Sequence, residues 1–149
     1  MKMMENYMKS KLAAIIMAAL SLGAVTAVSA QETGQEQYRL ATELYGHGMF
    51  ERAGSLFGKI YAETGDVTAG GYEALCAVRL QEVGNETLAD EYVSTHPYSV
   101  LVPRIHFYKA LNMFDAQDFK AAAAEFDKVR EKALPSDLIP EFAFKRAYS

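Results

Sequence analysis

The sequence of 149 residues predicts an all-α fold. From residue 31 onward, apolar residues recur at spacings of three and four, which is the period of one helix face, and no sustained two-residue alternation typical of strands occurs. Turn-forming residues interrupt this pattern at intervals of about twelve to twenty residues, for example at Gly65-Asp66, Gly84-Asn85 and Pro135-Ser136. The pattern therefore predicts six short helices and the start of a seventh.

The first 30 residues have the composition of a secretory signal peptide. Lysines at positions 2, 9 and 11 precede an uncharged apolar run over residues 12–28, and Val28-Ser29-Ala30 supplies the small residues of a cleavage site. The alternative, a membrane anchor, would need about 20 apolar residues and a basic flank. We therefore expect export and cleavage before Gln31, while methionines at 1, 3, 4 and 8 leave the start codon open.

Removing this segment leaves 119 residues with 12 basic and 18 acidic side chains, a net charge of about −6. Such an acidic chain is not expected to bind nucleic acid. Cys76 is the single cysteine and lies among apolar residues, so we expect a small buried thiol rather than a nucleophile or half of a disulfide.

Short polar side chains stand where several helices are expected to begin. Thr33 and Glu36 have the spacing of a capping box, in which each side chain accepts a hydrogen bond from an unpaired backbone N–H. The other predicted N-caps are Asp66, Asn85, Ser99 and Asp137.

The predicted helices share an internal frame. Ala41, Ala77, Ala110 and Ala147 recur at intervals of 36, 33 and 37 residues, and Ala53, Ala89 and Ala122 recur in the second helix of each pair at 36 and 33. The glycines at 48 and 84 fall in the same frame, as do Phe57, Val93 and Phe126. Small residues let two helices cross closely. Stacking of equivalent helical hairpins buries the apolar face that a single hairpin would expose to solvent. The sequence therefore predicts a helical repeat.

These positions resemble the tetratricopeptide repeat (TPR), in which Gly-x-aromatic-x-x-Ala-x-x-x-Phe follows a small residue in helix A. The first unit matches through Leu40, Ala41, Leu44, Gly48, Phe50, Ala53 and Phe57, and the third through Ala110, Met113, Phe119, Ala122 and Phe126. The middle unit departs from the pattern at Glu86 and Val93, and the chain has no Trp. The resemblance implies an α-solenoid of three hairpins over residues 31–149, with repeats at about 34–67, 70–102 and 103–136.

A partial fourth repeat is predicted at residues 140–149. Pro140 suits the first turn of its helix A, and no partner helix follows before Ser149. An uncapped repeat end exposes apolar surface, so we expect Phe142, Phe144 and Tyr148 to be partly exposed.

Neither catalytic nor metal-binding chemistry is predicted, and no cofactor is expected. His47, His96 and His106 lack the spacing of metal ligands, and a solvated or capping role is the expectation for each. Gly70-Gly71 lacks the Lys and Ser or Thr of a phosphate loop; close helix approach or a loosened helix start explains it better.

The resemblance to TPR proteins implies that the inner face of each helix A lines a groove for a peptide. Aromatic side chains and an arginine suit such a role because they supply contact area and a fork for a carboxylate, although packing between repeats would use the same residues. The groove positions are Tyr38, Thr42 and Tyr45; Ala74, Val78 and Gln81; and Arg104, Phe107, Leu111 and Phe114.

The sequence and its resemblance to exported TPR proteins of Gram-negative bacteria imply a non-enzymatic adaptor that binds a protein or peptide. Its expected location is the periplasm or the outer membrane, where outer-membrane proteins are candidate partners. Two alternatives remain at this stage: a packing scaffold of a larger envelope protein whose function lies beyond Ser149, and a TPR-containing component of carbohydrate uptake. Partner identity and oligomeric state are left open.

Overall fold

The structure, a computed structural model, describes residues 34–81 and 84–149, which form helices and turns without a strand. All packing reported below lies within Tyr38–Ser149, one of two compact units of the chain. The helices are α1 (34–46), α2 (Phe50–Thr64), α3 (Val67–Leu80), α4 (Asn85–Thr95), α5 (Val102–Asp115), α6 (Phe119–Phe126) and α7 (Ile139–Tyr148), with a 3-10 turn at Glu131–Ala133. The all-α prediction is confirmed. The predicted signal peptide and Thr33 lie outside the described residues.

Helices that are neighbours in the chain pack against each other, and so do alternate helices. α2 packs on α3, α3 on α4 and α5, and α5 on α6 and α7. The buried apolar residues form three clusters in chain order, centred on Ala41, Ala53 and Phe57, on Ala74, Leu75 and Ala89, and on Phe107, Ala122 and Phe126. None of the helices over the described residues is long and apolar enough to cross a membrane.

Five of the seven frame alanines are completely buried in the helix packing. Ala41, Ala53, Ala89, Ala110 and Ala122 have no exposed surface, as expected where two backbones approach closely. The bulky partners Phe57 and Phe126 are also fully buried. In the middle unit, Ala77 is only half-buried and Val93 is partly buried, so the weaker match of this unit to the repeat pattern is also visible in its packing.

The turns between the two helices of each pair share one backbone feature. Gly48, Gly84 and Gln117 occupy equivalent positions of the frame, and all three have positive φ angles of 74°, 94° and 63°. In the first and third units the turn closes with the same hydrogen bond, from Met49 N to Leu44 O and from Asp118 N to Met113 O, each 2.9 Å. The third unit therefore places a glutamine where the backbone favours glycine.

We expect Gln117→Gly to stabilise the protein by about 1 kcal/mol, because the left-handed conformation strains a residue that carries a Cβ atom. Chemical denaturation measures this as a higher free energy of unfolding. The matched control is Ala124→Gly at an exposed position of α6, which should destabilise by about 1 kcal/mol. A loss of stability in Gln117→Gly would contradict the inference that the positive φ angle strains Gln117.

The predicted N-caps are correct in one case. Asp66 Oδ1 accepts hydrogen bonds from Thr68 N and Ala69 N at 2.8 and 3.2 Å and caps α3. The predictions for Asn85 and Asp137 are wrong, because the N-cap positions of α4 and α7 are Gly84 and Leu138, which place each polar residue one position off.

Two further start sites differ from expectation. Ser99 accepts a hydrogen bond from Leu101 N at 3.3 Å, but Leu101 itself is the N-cap of α5, so Ser99 does not cap the helix. Asp118, which was not predicted, caps α6 by accepting from Ala121 N at 3.0 Å.

Gly70 and Gly71 permit a close helix approach. A Cβ atom added to Gly70 would lie 3.0 Å from the ring of Tyr61, and one added to Gly71 would lie 2.6 Å from the hydroxyl of Tyr92. Both glycines lie within the helical span of α3. They therefore bring α3 against its neighbours, which is the first of the two expected roles.

Cys76 is completely buried. Burial raises the pKa of its thiol to about 12, so the thiol is protonated at neutral pH. This agrees with the expectation of a small, unreactive core residue.

Candidate functional site

The structure separates the predicted groove residues into core and surface positions. Val78 and Phe107 are 1% and 0% exposed and belong to the buried clusters, as does Ala74. They face neighbouring helices, so they cannot contact a ligand, and their assignment to a groove surface is corrected. Thr42 and Gln81 are exposed; Thr42 Oγ1 donates to Tyr38 O of its own helix at 2.9 Å.

The remaining predicted residues are partly buried, and only two of them contact each other. Tyr45 and Arg104 are brought together, with Arg104 Nη2 donating to the Tyr45 hydroxyl at 3.1 Å. Phe114 instead packs edge-on against Phe119 and at a tilted angle against Tyr148 of α7, with ring centroids 5.2 and 5.7 Å apart. Tyr38 packs on Phe57, and Leu111 lines a cleft beside α3. The predicted set therefore does not form one continuous groove.

A cluster of rings and guanidinium groups lies on α1, α3 and α5 together with the first residue of α2. We call it the aromatic–arginine cluster; its members are Tyr45, Phe50, Tyr72, Arg79, Arg104 and Tyr108. Arg79 lies between two rings, with its guanidinium carbon 4.4 Å from the centroid of Phe50 and 4.4 Å from that of Tyr108. Cation–π contacts on both faces fix the plane of this guanidinium and leave its edge for hydrogen bonds.

Arg104 forms the second cationic position of the aromatic–arginine cluster. Its guanidinium carbon lies 5.9 Å from the ring centroids of both Tyr45 and Tyr72, at the edge of cation–π range. These two rings pack edge-on at 5.3 Å, and Tyr45 also contacts Phe50 at 5.5 Å. Nε of Arg104 is buried and has no hydrogen-bond partner among the described residues.

The electrostatics of the cluster favour an anion. Among the described residues, no carboxylate lies within ion-pair distance of Arg79 or Arg104. Burial raises the pKa of Tyr45, so its hydroxyl is neutral at pH 7 and keeps a proton to donate. Arg79 and Arg104 therefore combine contact with aromatic rings and the absence of a carboxylate partner among the described residues, which suits them to bind an anionic group.

A cleft of about 340 Å³ adjoins Arg79 and extends towards α7. Arg79 and Tyr108 line one part of it, and Asp115 and Glu141 line another. Asn112 holds this region together by donating to Val78 O and accepting from Gln81 Nε2, each at 2.8 Å. The cleft offers space for a side chain next to the edge of Arg79.

A second group of charges lies between α4, α5 and α6, around the buried side chains of Glu125 and Lys109. Glu125, 4% exposed, lies 2.6 Å from His106 Nδ1, 2.6 Å from Lys128 Nζ and 3.8 Å from Lys109 Nζ. Lys109, 7% exposed, also pairs with Asp90. The expectation that His106 is solvated or capping is corrected: helix packing leaves its side chain 13% exposed and directs it at a carboxylate.

The pKa of Glu125 shows which influence dominates this buried network. Desolvation alone would raise the pKa, but hydrogen bonds from His106 and Lys128 and the charge of Lys109 lower it to about 2. The carboxylate is therefore ionised at neutral pH and bonded on both oxygens. This satisfied network serves packing between helices. No group of three His, Cys, Asp or Glu side chains in the described ranges is placed to hold a metal ion.

Sequence reasoning missed four members of the aromatic–arginine cluster, namely Phe50, Tyr72, Arg79 and Tyr108. Phe50 was assigned to the repeat pattern, and Arg79, two residues after Ala77, carries no local signal that distinguishes it from a solvated arginine. No protein-family model, curated protein or solved structure matches the chain.

Proposed function

We propose that the chain is an exported, non-enzymatic adaptor of TPR-like architecture that binds a protein partner through the aromatic–arginine cluster. The segment of the partner that docks there is acidic and extended or helical. The sequence features of a signal peptide favour action in the periplasm or at the outer membrane.

The observation that carries this proposal is the pair of guanidinium groups held among four aromatic rings. Arg79 is fixed between Phe50 and Tyr108, so little conformational entropy is lost when its edge binds a carboxylate. The rings supply apolar contact area next to the charge, a combination enriched at the energetic centres of protein interfaces. The adjacent cleft provides a recess for a neighbouring side chain of the ligand.

The TPR-like architecture is supported by three features. Alternate helices pack on each other, five of the seven frame alanines are completely buried, and equivalent turns share a positive φ angle. A solenoid of such hairpins aligns the helix-A faces of successive units on one side. Residues of α1, α3 and α5 then contribute to a common binding surface, as the members of the cluster do.

The test is cross-linking of the exported chain in its native envelope, compared with the double variant Arg79→Gln/Arg104→Gln. We expect the yield of the specific cross-linked partner to fall at least about tenfold, because both charged anchors are lost. Binding of the partner's isolated acidic segment, measured by fluorescence anisotropy, should fall in parallel.

The matched control is Lys59→Gln/Lys132→Gln, which makes the same change in net charge at exposed positions outside the cluster. Its cross-linking should equal that of the unchanged chain. If both double variants lose capture equally, the interaction depends on net charge alone. Unchanged capture by a folded Arg79→Gln/Arg104→Gln variant would overturn the proposal.

A further inference from the structure

One face of α7 exposes large apolar side chains in an ordered arrangement. Phe144 and Tyr148 are each 66% exposed, and their rings stack at 6.3 Å. Tyr148 also packs against Phe114 and Phe119, where α5 and α6 meet, with centroids 5.7 Å apart in both cases. The exposed face, which we call the α7 seat, is made of Phe144, Ala147 and Tyr148 and continues the interface between α5 and α6.

The repeat frame identifies what covers the equivalent face in earlier units. Phe144 stands three residues before the frame alanine Ala147, as Tyr38 does in α1 and Phe107 in α5. Tyr38 packs on Phe57 of α2 at 5.6 Å, and Phe107 packs on Phe126 of α6 at 6.4 Å. In both units, therefore, an aromatic residue of the following helix B covers this position.

The exposure of the frame alanines also indicates that this face of α7 is uncovered. Ala41 and Ala110 are fully buried, whereas Ala147 is exposed. Phe142, which was expected to be partly exposed, is 1% exposed because it packs backwards on Phe107 and Phe126. The apolar surface of α7 that remains open is thus the forward one, on the side where a helix B packs in the earlier units.

The charged residues of α5 and α7 indicate which side chain a helix that covers α7 would carry. Lys109, one residue before the frame alanine of α5, pairs backwards with Asp90 of α4 and lies 3.8 Å from Glu125 of the covering helix α6. Arg146 is its equivalent in α7 and pairs backwards with Asp127, the residue that follows α6, at 2.9 Å. Arg146 is half exposed, so a carboxylate on a covering helix could reach its free edge.

We propose that the α7 seat binds an amphipathic helix of the α6 type, with the pattern aromatic-x-x-Ala-x-x-Glu-Phe. The alanine of this helix lies against Ala147, its phenylalanine against Phe144 and its glutamate against Arg146. This docking site is distinct from the aromatic–arginine cluster and does not depend on an anionic ligand there. It rests on the repeat frame and on the exposed face of α7.

The first experiment uses a fluorescent synthetic peptide, QDFKAAAAEFDKVR, which is the sequence of residues 117–130. We expect saturable binding to the full chain by anisotropy, weakened at least about tenfold by Phe144→Glu. A peptide that carries the Phe126→Ser change should bind to the unchanged chain as weakly as the unchanged peptide binds to the Phe144→Glu variant. Arg146→Gln and the peptide change Glu125→Gln should each weaken binding, and their effects should be less than additive because they remove the same pair.

The second experiment covers the case in which the free peptide is too short to form a helix. The same sequence is joined after Ser149 through a flexible Gly/Ser linker. Docking on the α7 seat should raise Tm by about 5 °C or more over a fusion that carries the Phe126→Ser change.

Three results would overturn this inference. The first is equal binding to the Phe144→Glu variant, which would place the peptide elsewhere, for example in exchange with α6. The second is equal Tm for the two fusions. The third is dimerisation of the unchanged chain that Phe144→Glu abolishes, which would make a second copy the occupant. Circular dichroism of Phe144→Glu confirms that the variant is folded.

Discussion

Replacing Phe107 with alanine is expected to lower the free energy of unfolding by about 3–5 kcal/mol, the cost of a large cavity in a packed core. Phe107 has no exposed surface and contacts Phe126 and Phe142, with ring centroids 6.4 Å away in each case. It therefore joins α5, α6 and α7. Urea denaturation followed by circular dichroism measures the loss.

The control for this prediction is Phe114→Ala, at a residue of the same helix that was assigned to the same predicted groove. Phe114 is only partly buried, so truncation should cost clearly less than truncation of Phe107. If Phe107→Ala proved as stable as the unchanged chain while binding of a partner was lost, Phe107 would be a ligand contact. The description of it as a core residue would then be wrong.

Replacing Glu125 with glutamine is expected to destabilise the protein by about 3 kcal/mol at pH 7. The change removes the buried charge that compensates Lys109 and weakens the hydrogen bond with His106, and breaking a buried pair by removing one partner costs about 3–5 kcal/mol. The lowered pKa of Glu125, about 2, gives a similar figure of about 3 kcal/mol when the shift is converted to free energy. Denaturation at pH 7 measures the effect.

The pH dependence of stability provides the specific readout. The folded pKa of Glu125 lies below its unfolded value, so its contribution is present above about pH 4.5 and is lost as pH falls towards 2. The stability difference between the unchanged chain and Glu125→Gln should therefore shrink across this window. Glu131→Gln at an exposed position is the control and should stay within about 0.5 kcal/mol at every pH. A difference that does not depend on pH would contradict the assigned ionisation.

The sequence predicted the elements well because their signals are local or periodic. Ala53, Ala89 and Ala122 recur in step, and all three lie at buried helix crossings. The frame glycines at 48 and 84 mark turns with positive φ angles, which glycine adopts without strain because it has no Cβ atom. Such features need no knowledge of distant contacts.

The surface was harder to predict because a period assigns a residue to an apolar face without saying what covers that face. Phe107 and Tyr45 were assigned to the same groove, yet packing of α6 and α7 buries the first, and the second remains beside Arg104. Arg79 is stacked by Phe50, 29 positions earlier, and Tyr108, 29 positions later. A contact over that separation is set by the tertiary arrangement.

The tyrosines of the aromatic–arginine cluster also connect the three apolar clusters. Tyr45 and Tyr72 pack against both the first and the second, and Tyr108 packs against both the second and the third. The side chains that we propose for recognition thus also hold neighbouring clusters together. A substitution at one of these tyrosines should therefore change both ligand binding and the packing between the clusters, and a ligand bound here should restrict the relative motion of the helices that carry them.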